Sequence, residues 1–145
     1  MRLAKTRDVK TPTRANSTDA GIDFFIPNTA MPLTILPGES ALIPSGIKVE
    51  VPNNHALVAF NKSGIASKKQ LIVGACVVDC GYQGEIYINM QNVGREAQQL
   101  QPGDKIVQFA LLQLGNPIVT EVKEQELYTS VSDRGEGALG SSGTK

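Results

Sequence analysis

Asp79 is the first candidate for acid–base chemistry in this sequence. It ends the apolar run Cys-Val-Val at 76–78, and a Cys-Gly turn and Tyr82 follow it. A carboxylate that leaves a buried strand is held on a rigid element, as a general base requires, although Asp is also frequent in turns without any catalytic role. The hairpin predicted here has free backbone donors and acceptors, which can read the edge of a flat base.

A second set of groups suits phosphate. Lys62, Ser63 and Gly64 place a cation, a hydroxyl and a permissive amide in successive positions, although such a turn is more often a solvated loop. Asp23 lies two positions after a glycine, which would let a ligand approach closely. A surface turn without a ligand accounts for this glycine and carboxylate equally well. Gln108 lies inside an apolar run, so its amide must be hydrogen-bonded or line a polar pocket.

The C-terminal segment 133–145 contains Gly-Glu-Gly-Ala-Leu-Gly at 135–140, the G-x-G-x-x-G pattern of dinucleotide sites. Such a site needs a strand before the glycines and a helix after them, so we expect none here. Arg134, the glycine amides and two serine hydroxyls suit a phosphate, and a frayed tail is the alternative. The Gly/Ser-rich composition predicts an arm that is mobile when no ligand is bound.

Short β-strands must position these groups, because turn residues interrupt the chain and no helical period is sustained. Strands are predicted at 22–26, 34–36, 41–43, 47–51, 56–60, 71–73, 76–78, 85–91, 105–114 and 118–122. Alternation within 85–91 predicts one buried face, and the apolar run 105–114 predicts a strand buried on both faces. The pattern indicates an all-β barrel, sandwich or prism in one domain.

Bulk composition narrows the class of protein. The 145 residues carry 14 acidic and 14 basic side chains, so the charge footprint of a nucleic-acid or membrane-surface binder is missing. We expect no nucleic-acid partner and no membrane association. Two cysteines and a polar start predict reduced thiols and a cytoplasmic protein, or a nuclear or host-cell interior one if the source is eukaryotic or viral.

Five segments in this order resemble the motifs of the homotrimeric deoxyuridine triphosphate nucleotidohydrolase (dUTPase) family. They are Ala-Gly-Ile-Asp-Phe at 20–24, Lys-Ser-Gly-Ile-Ala at 62–66, Val-Val-Asp-Cys-Gly-Tyr-Gln-Gly-Glu at 77–85, Gly-Asp-Lys-Ile-Val-Gln at 103–108, and Arg-Gly-Glu-Gly-Ala-Leu-Gly-Ser-Ser-Gly at 134–143. The likeness covers nearly the whole chain, and the distances between motifs are also those of the family.

The resemblance implies a β-prism or jelly-roll domain at 1–132 and an arm at 133–145 that closes the active site of a neighbouring subunit in a trimer. It implies hydrolysis of dUTP to dUMP and pyrophosphate with Mg²⁺ bound to the triphosphate. That reaction limits uracil incorporation into DNA and supplies dUMP for dTMP synthesis.

The resemblance also assigns roles. Asp79 activates the attacking water, Gln108 holds the α-phosphate or its water network, and Asp23 acts on the water shell of the metal. Tyr82 excludes ribonucleotides by occupying the place of a 2′-hydroxyl. Arg134 is the third catalytic residue and clamps the β- and γ-phosphates. The remaining substrate-binding residues are Lys62, Ser63 and Gly64 for phosphate, Val77, Val78 and Tyr87 for uracil, and Leu139, Gly140, Ser141 and Ser142 in the arm.

Four positions depart from the family pattern. Lys62 stands where Arg is usual, which keeps the charge and loses the bidentate fork. Leu139 stands where a stacking Phe is usual, and Cys76 and Gly81 also differ. Two alternatives stay open: a dCTP deaminase relative, and a dUTPase-like trimer that acts mainly as a nucleotide-gated protein-binding module.

Overall fold

The computed structural model describes residues 1–137 of the chain. They form two units, 1–115 and the part of 116–145 that is described. The arm predicted from residue 133 therefore begins inside the second unit, and the division at 132/133 stays a prediction. In residues 1–137 no helix has the length and apolarity that a membrane crossing requires.

The first unit is built of antiparallel strands, as the sequence predicts. The strands are β1 (Arg2–Lys5), β2 (Ile22–Phe25), β3 (Leu33–Ile35), β4 (Ser40–Pro44), β5 (Ile47–Glu50), β6 (His55–Phe60), β7 (Leu71–Val73), β8 (Val77–Asp79), β9 (Tyr87–Asn92), β10 (Gln98–Leu100) and β11 (Lys105–Gln113). One short helix, α1 (Ser63–Lys69), is described between β6 and β7.

The strands make four small sheets. The orders are β2-β11-β6-β8, β4-β9-β7, β1-β5 and β10-β3, with all pairings antiparallel. Their inner faces enclose one apolar core, in which the rings of Phe24 and Phe109 lie 4.5 Å apart. The predicted alternation along β9 is confirmed, because Ile88 and Met90 are buried and Tyr87 is exposed.

Two expectations about the elements are wrong, and one element was not predicted. The strand 105–114 is buried on both faces only near its start, and Leu112 is exposed. No strand forms at 118–122, where Ile118 and Val119 are 93% and 94% exposed. A strand needs a neighbour to satisfy its backbone groups, and the described part of one chain supplies none there. Helix α1 was not predicted, because seven residues are too few to show a period.

Candidate active site

Asp79 lies at the end of a strand and the start of a turn, as the sequence predicts, but the strand is not buried as expected, since Val77 is 61% exposed. Strand β8 is the edge of its sheet, and Asp79 is paired with Ala56 of β6. The Tyr82 amide donates to the Asp79 carbonyl at 3.1 Å, so the turn is closed by the backbone. The carboxylate is left exposed on a fixed main chain, as a general base requires.

Tyr82 is held by its hydroxyl as well as by the turn. Its Oη donates to the carbonyl oxygen of Glu85 at 2.7 Å. The ring lies across Gly84, since a Cβ at that position would fall 2.5 Å from the Cζ of Tyr82. Val77 and Tyr87, predicted to meet the base, are both exposed on the neighbouring strands.

A second group of predicted residues gathers around Asp23. This carboxylate is buried, and each of its oxygens binds an ammonium group: Oδ1 that of Lys62, and Oδ2 that of Lys105 at 3.0 Å. Burial acts to raise the pKa of Asp23, but the hydrogen bonds from the two lysines outweigh it and hold the pKa below its usual range. One negative and two positive charges leave a net positive patch that suits an anion.

Gln108 belongs to the same group. It is paired across β11 with Asp23 on one side and Phe60 on the other. Its Nε2 donates to the Asn61 carbonyl at 2.9 Å, which confirms that this polar side chain in an apolar run is hydrogen-bonded. A Cβ on Gly21 would fall 2.8 Å from the Cδ of Gln108, so glycine is needed there to admit the side chain.

Ser63 and Gly64 form the first turn of α1 directly after Lys62. Both are exposed, and the space where a Cβ on Gly64 would project is open. The three residues therefore border the patch around Asp23 rather than a separate loop. The helix ends at Gln70, which adopts a left-handed conformation with φ 52°.

Strand β6 separates the two groups within one chain. Asp79 faces Ala56 near its start, and Gln108 faces Phe60 at its end. Four residues of extended strand span roughly 13 Å. This spacing keeps the backbones of Asp79 and Gln108 of one chain far apart compared with the roughly 3–3.5 Å to which reacting atoms must approach.

Arg134 lies in the second unit, in a turn of its own. Its Nε donates to the Gly137 carbonyl at 3.0 Å, and Gly135 has a left-handed φ of 49°. The other predicted arm residues, Leu139, Gly140, Ser141 and Ser142, lie outside the described residues.

The described residues offer no ready-made metal cage. Within 1–137, no three His, Cys, Asp or Glu side chains come together, and both oxygens of Asp23 are engaged by lysines. A cavity of about 850 Å³ lies along the β1–β5 ribbon, and Tyr82 is the predicted site residue that lines it. Asp79 and the residues around Asp23 do not line this cavity, so it touches the proposed site only at Tyr82.

Two contributors were missed by sequence reasoning. Lys105 opens a strand and would ordinarily be taken for a solvated charge, and only the pairing of β2 with β11 brings it to Asp23. Glu85 binds Arg7, which lies 78 positions away in the sequence, so no local sequence pattern predicts this pair.

Removing the Asp23 charge is expected to lower stability in a pH-dependent way. Asp23→Asn should cost about 2 kcal/mol of unfolding free energy near neutral pH, since two ammonium groups lose a charged acceptor. Because folding lowers the pKa of Asp23, its contribution is present above the ordinary value of 3.8 and is lost as pH falls through the lower folded value. Urea unfolding of both proteins between pH 7 and pH 3 should show the gap narrowing in acid.

The exposed pair of Arg2 and Glu50 supplies the control for that measurement. Glu50→Gln should change stability little, because solvent screens exposed pairs. A stability gap for Asp23→Asn that stayed constant down to pH 3 would contradict the assignment of the carboxylate as the ionised partner of both lysines.

The dUTPase family model matches residues 7–143 of the chain. Deoxyuridine 5′-triphosphate nucleotidohydrolases of Mycolicibacterium vanbaalenii, Chlamydia trachomatis serovar L2 and Clostridium tetani are 33%, 37% and 37% identical to it. The alignments cover 94%, 91% and 94% of this chain, and 90% of each relative.

Solved structures agree with these relatives. The dUTPase of Staphylococcus bacteriophage 80alpha with bound dUpNHpp superposes with a TM-score of 0.87 at 25% identity, over 99% of this chain and 98% of that one. The structure of a dUTPase from phage phi11 of S. aureus, with a TM-score of 0.77 at 24% identity, concerns a structural Mg(II) ion. The fold that the motifs imply is thereby confirmed.

Proposed function

Because the chain belongs to the dUTPase family, we propose that it hydrolyses dUTP to dUMP and pyrophosphate. The observation that carries the proposal within the chain is the turn 79–82. It presents an exposed carboxylate and a hydrogen-bonded aromatic ring on one backbone-closed turn, although β8 and β9 lie in different sheets and do not form the hairpin that the sequence predicts. The arrangement supports hydrolysis beside a nucleoside better than it supports deamination, which needs a further acid–base group at the pyrimidine.

The turn 79–82 and the strands on either side of it in the sequence are the nucleoside end of the proposed site. Uracil lies against the backbone of β8 at Val77 and Val78 and the start of β9 at Tyr87. Tyr82 packs on the deoxyribose, where a 2′-hydroxyl finds no room. Asp79 takes the proton from the water that attacks the α-phosphorus, and such general-base help contributes roughly 10²–10⁴-fold.

The group around Asp23 is the phosphate end. Lys62 supplies positive charge, and Ser63 and Gly64 supply a hydroxyl and an amide close by. Gln108, fixed by Asn61 and by the room at Gly21, orients the α-phosphate or its water. Fixed charges and dipoles of this kind stabilise the negative charge that develops as the phosphoanhydride breaks.

Mg²⁺ is proposed to arrive with the triphosphate. In residues 1–137 no cluster of side chains could hold the ion alone, so it would be held mainly by substrate phosphates with Asp23 acting only on its water shell, because Mg²⁺ retains waters and takes few protein ligands. When bound, the ion lowers the charge of the phosphates. The main work of Asp23 in this chain is to hold Lys62 and Lys105 in place.

A homotrimer completes the site in this proposal. The two groups of one chain are separated along β6, so Asp79 of one subunit faces the phosphate group of another. The apolar side chains of Ile118 and Val119 are almost fully exposed, and a partner subunit would cover them and supply the missing strand neighbour. The arm of a third subunit then closes the site with Arg134, Leu139, Gly140, Ser141 and Ser142.

Pyrophosphate release from dUTP, dTTP, dCTP and UTP, each with and without Mg²⁺, tests the function. We expect turnover of dUTP alone at low micromolar enzyme, and a strong reduction without Mg²⁺. Ammonia released from dCTP would instead identify a deaminase. Nucleotide binding without any pyrophosphate would identify a binding module, the remaining alternative.

A further inference from the structure

We propose that Glu85 is a positioning residue for sugar selection, which fixes the Tyr82 ring against the deoxyribose with the help of Arg7 and the Gly46 amide. The inference rests on the proposed function, in which Tyr82 discriminates dUTP from UTP. The Arg7–Glu85 ion pair, which does not itself contact the nucleotide, would then account for a measurable share of the discrimination between dUTP and UTP.

The Glu85 carboxylate is tied to two distant parts of the first unit. Oε1 and Oε2 accept from the Nε and Nη2 of Arg7 at 2.7 and 3.1 Å, a bidentate geometry. Oε1 also accepts from the amide of Gly46 at 2.7 Å. Gly46 has a left-handed φ of 71°, and a Cβ there would fall 3.1 Å from the Cβ of Arg7, so glycine is needed at this junction.

The same residue holds Tyr82 through its main chain. The Tyr82 hydroxyl donates to the Glu85 carbonyl at 2.7 Å, and the ring rests on Gly84. Fixing the Glu85 side chain therefore fixes the carbonyl to which the ring is anchored. No other partner of the hydroxyl is described within residues 1–137.

The ring needs this anchor because its other side borders open space. Tyr82 is 44% exposed and lines the cavity of about 850 Å³ along the β1–β5 ribbon. The hydroxyl bond and the contact with Gly84 are the restraints that remain.

The ion pair is partly shielded from solvent, which makes it stronger than an ordinary surface pair. The Glu85 side chain is 13% exposed and that of Arg7 is 42% exposed. The Arg7 guanidinium, assisted by the Gly46 amide, holds the pKa of Glu85 below its usual range against the opposing effect of burial. Glu85 is therefore ionised and paired at the pH of any ordinary assay.

Glu85→Gln tests the proposal. Gln keeps an acceptor for the Gly46 amide and loses the charge, so the turn 79–82 forms while the Glu85 anchor loosens. We expect the ratio of kcat/KM for dUTP to that for UTP to fall roughly tenfold, through faster UTP turnover. Arg7→Lys keeps the charge, so it should lower the dUTP/UTP ratio of kcat/KM less than Arg7→Gln does.

The matched control is Glu50→Gln, which breaks the exposed Arg2–Glu50 pair in the lining of the same cavity without touching the Tyr82 anchor, and it should leave the ratio unchanged. Thermal unfolding checks that each variant is folded. A Glu85→Gln protein that is folded and keeps the ratio of the parent overturns the proposal. So does an equal fall in the Glu50→Gln control.

Binding separates this inference from the proposed function. Dissociation constants for dUpNHpp and its ribose counterpart give the same discrimination without turnover. If the parent binds the deoxy analogue selectively and never releases pyrophosphate, the hydrolytic function fails, and a smaller selectivity in Glu85→Gln still supports the positioning role. Unchanged selectivity in that variant rejects the role whatever the activity of the parent.

Discussion

Asp79→Asn is expected to reduce dUTP hydrolysis by roughly 10²–10⁴-fold while dUTP still binds. The amide keeps the size of the carboxylate and cannot take a proton from water. The turn should survive, because the Tyr82 amide binds the Asp79 carbonyl oxygen and not its side chain. The effect is therefore expected in kcat and not in the dissociation constant for dUpNHpp.

Single-turnover hydrolysis and dUpNHpp binding measure the two quantities separately. Asp8→Asn is the matched control, since it removes an exposed carboxylate of the same unit that belongs to neither group of site residues. Parent-level turnover by Asp79→Asn would reject Asp79 as the base. Loss of dUpNHpp binding in parallel with turnover would assign the carboxylate to binding instead.

Most strands were predictable because their signals are local. Turn residues mark their ends, and the alternation of Ile86, Ile88 and Met90 marks a buried face that the structure confirms. Strand β1 gives no such signal, since all four of its residues are exposed, and β10 has one buried residue. Each of them forms a strand because it pairs with a partner that is distant in the sequence. Local sequence patterns do not reveal such pairing.

The missing strand at 118–122 follows from the same physics. Residues 118–122 have high β propensity. A strand also needs a neighbour to pair with its backbone N–H and C=O groups, and propensity does not supply one. The strand expected at 118–122 does not form in the described residues, and the side chains of Ile118 and Val119 are left exposed.

Site residues were predictable one at a time, but their distribution was not. The motifs identify Asp79, Lys62 and Gln108 without placing the first at one end of β6 and the others at its far end. The partners of these residues were equally hidden. Lys105 reaches Asp23 through strand pairing, and Arg7 reaches Glu85 through the fold of the whole unit.

Asp23 binds the ammonium group of Lys62 and so bears on whether lysine can replace arginine at this position. A single Lys cannot reproduce the fork of an Arg. Here Asp23 holds two ammonium groups, on Lys62 and Lys105, at one carboxylate. Two point charges spaced by a shared acceptor present separate donors to an anion, which partly offsets the missing fork. Lysine at this position is therefore compatible with a phosphate-binding role.

Deleting residues 134–145 is expected to leave a folded protein and reduce kcat by roughly 10²-fold or more, the scale for losing donors that stabilise developing charge. The first unit, 1–115, contains the core, so the deletion removes no core residue. Arg134→Lys should reduce kcat less than the deletion does, because it keeps the positive charge and loses only the bidentate geometry of the guanidinium. Thermal unfolding and kcat distinguish a missing lid from a damaged fold, and full activity of the deleted chain would exclude a lid role.

Mixing the two inactive chains tests whether the site is shared. One chain carries Asp79→Asn with an intact arm, and the other has Asp79 and lacks 134–145. If Asp79 and the arm come from different subunits, random co-assembly after joint refolding should restore about a quarter of the parental sites. If both come from the same subunit, every site lacks one of them and the mixture stays inactive. Refolding each chain alone gives the baseline, so any activity above it reports assembly of one site from two chains.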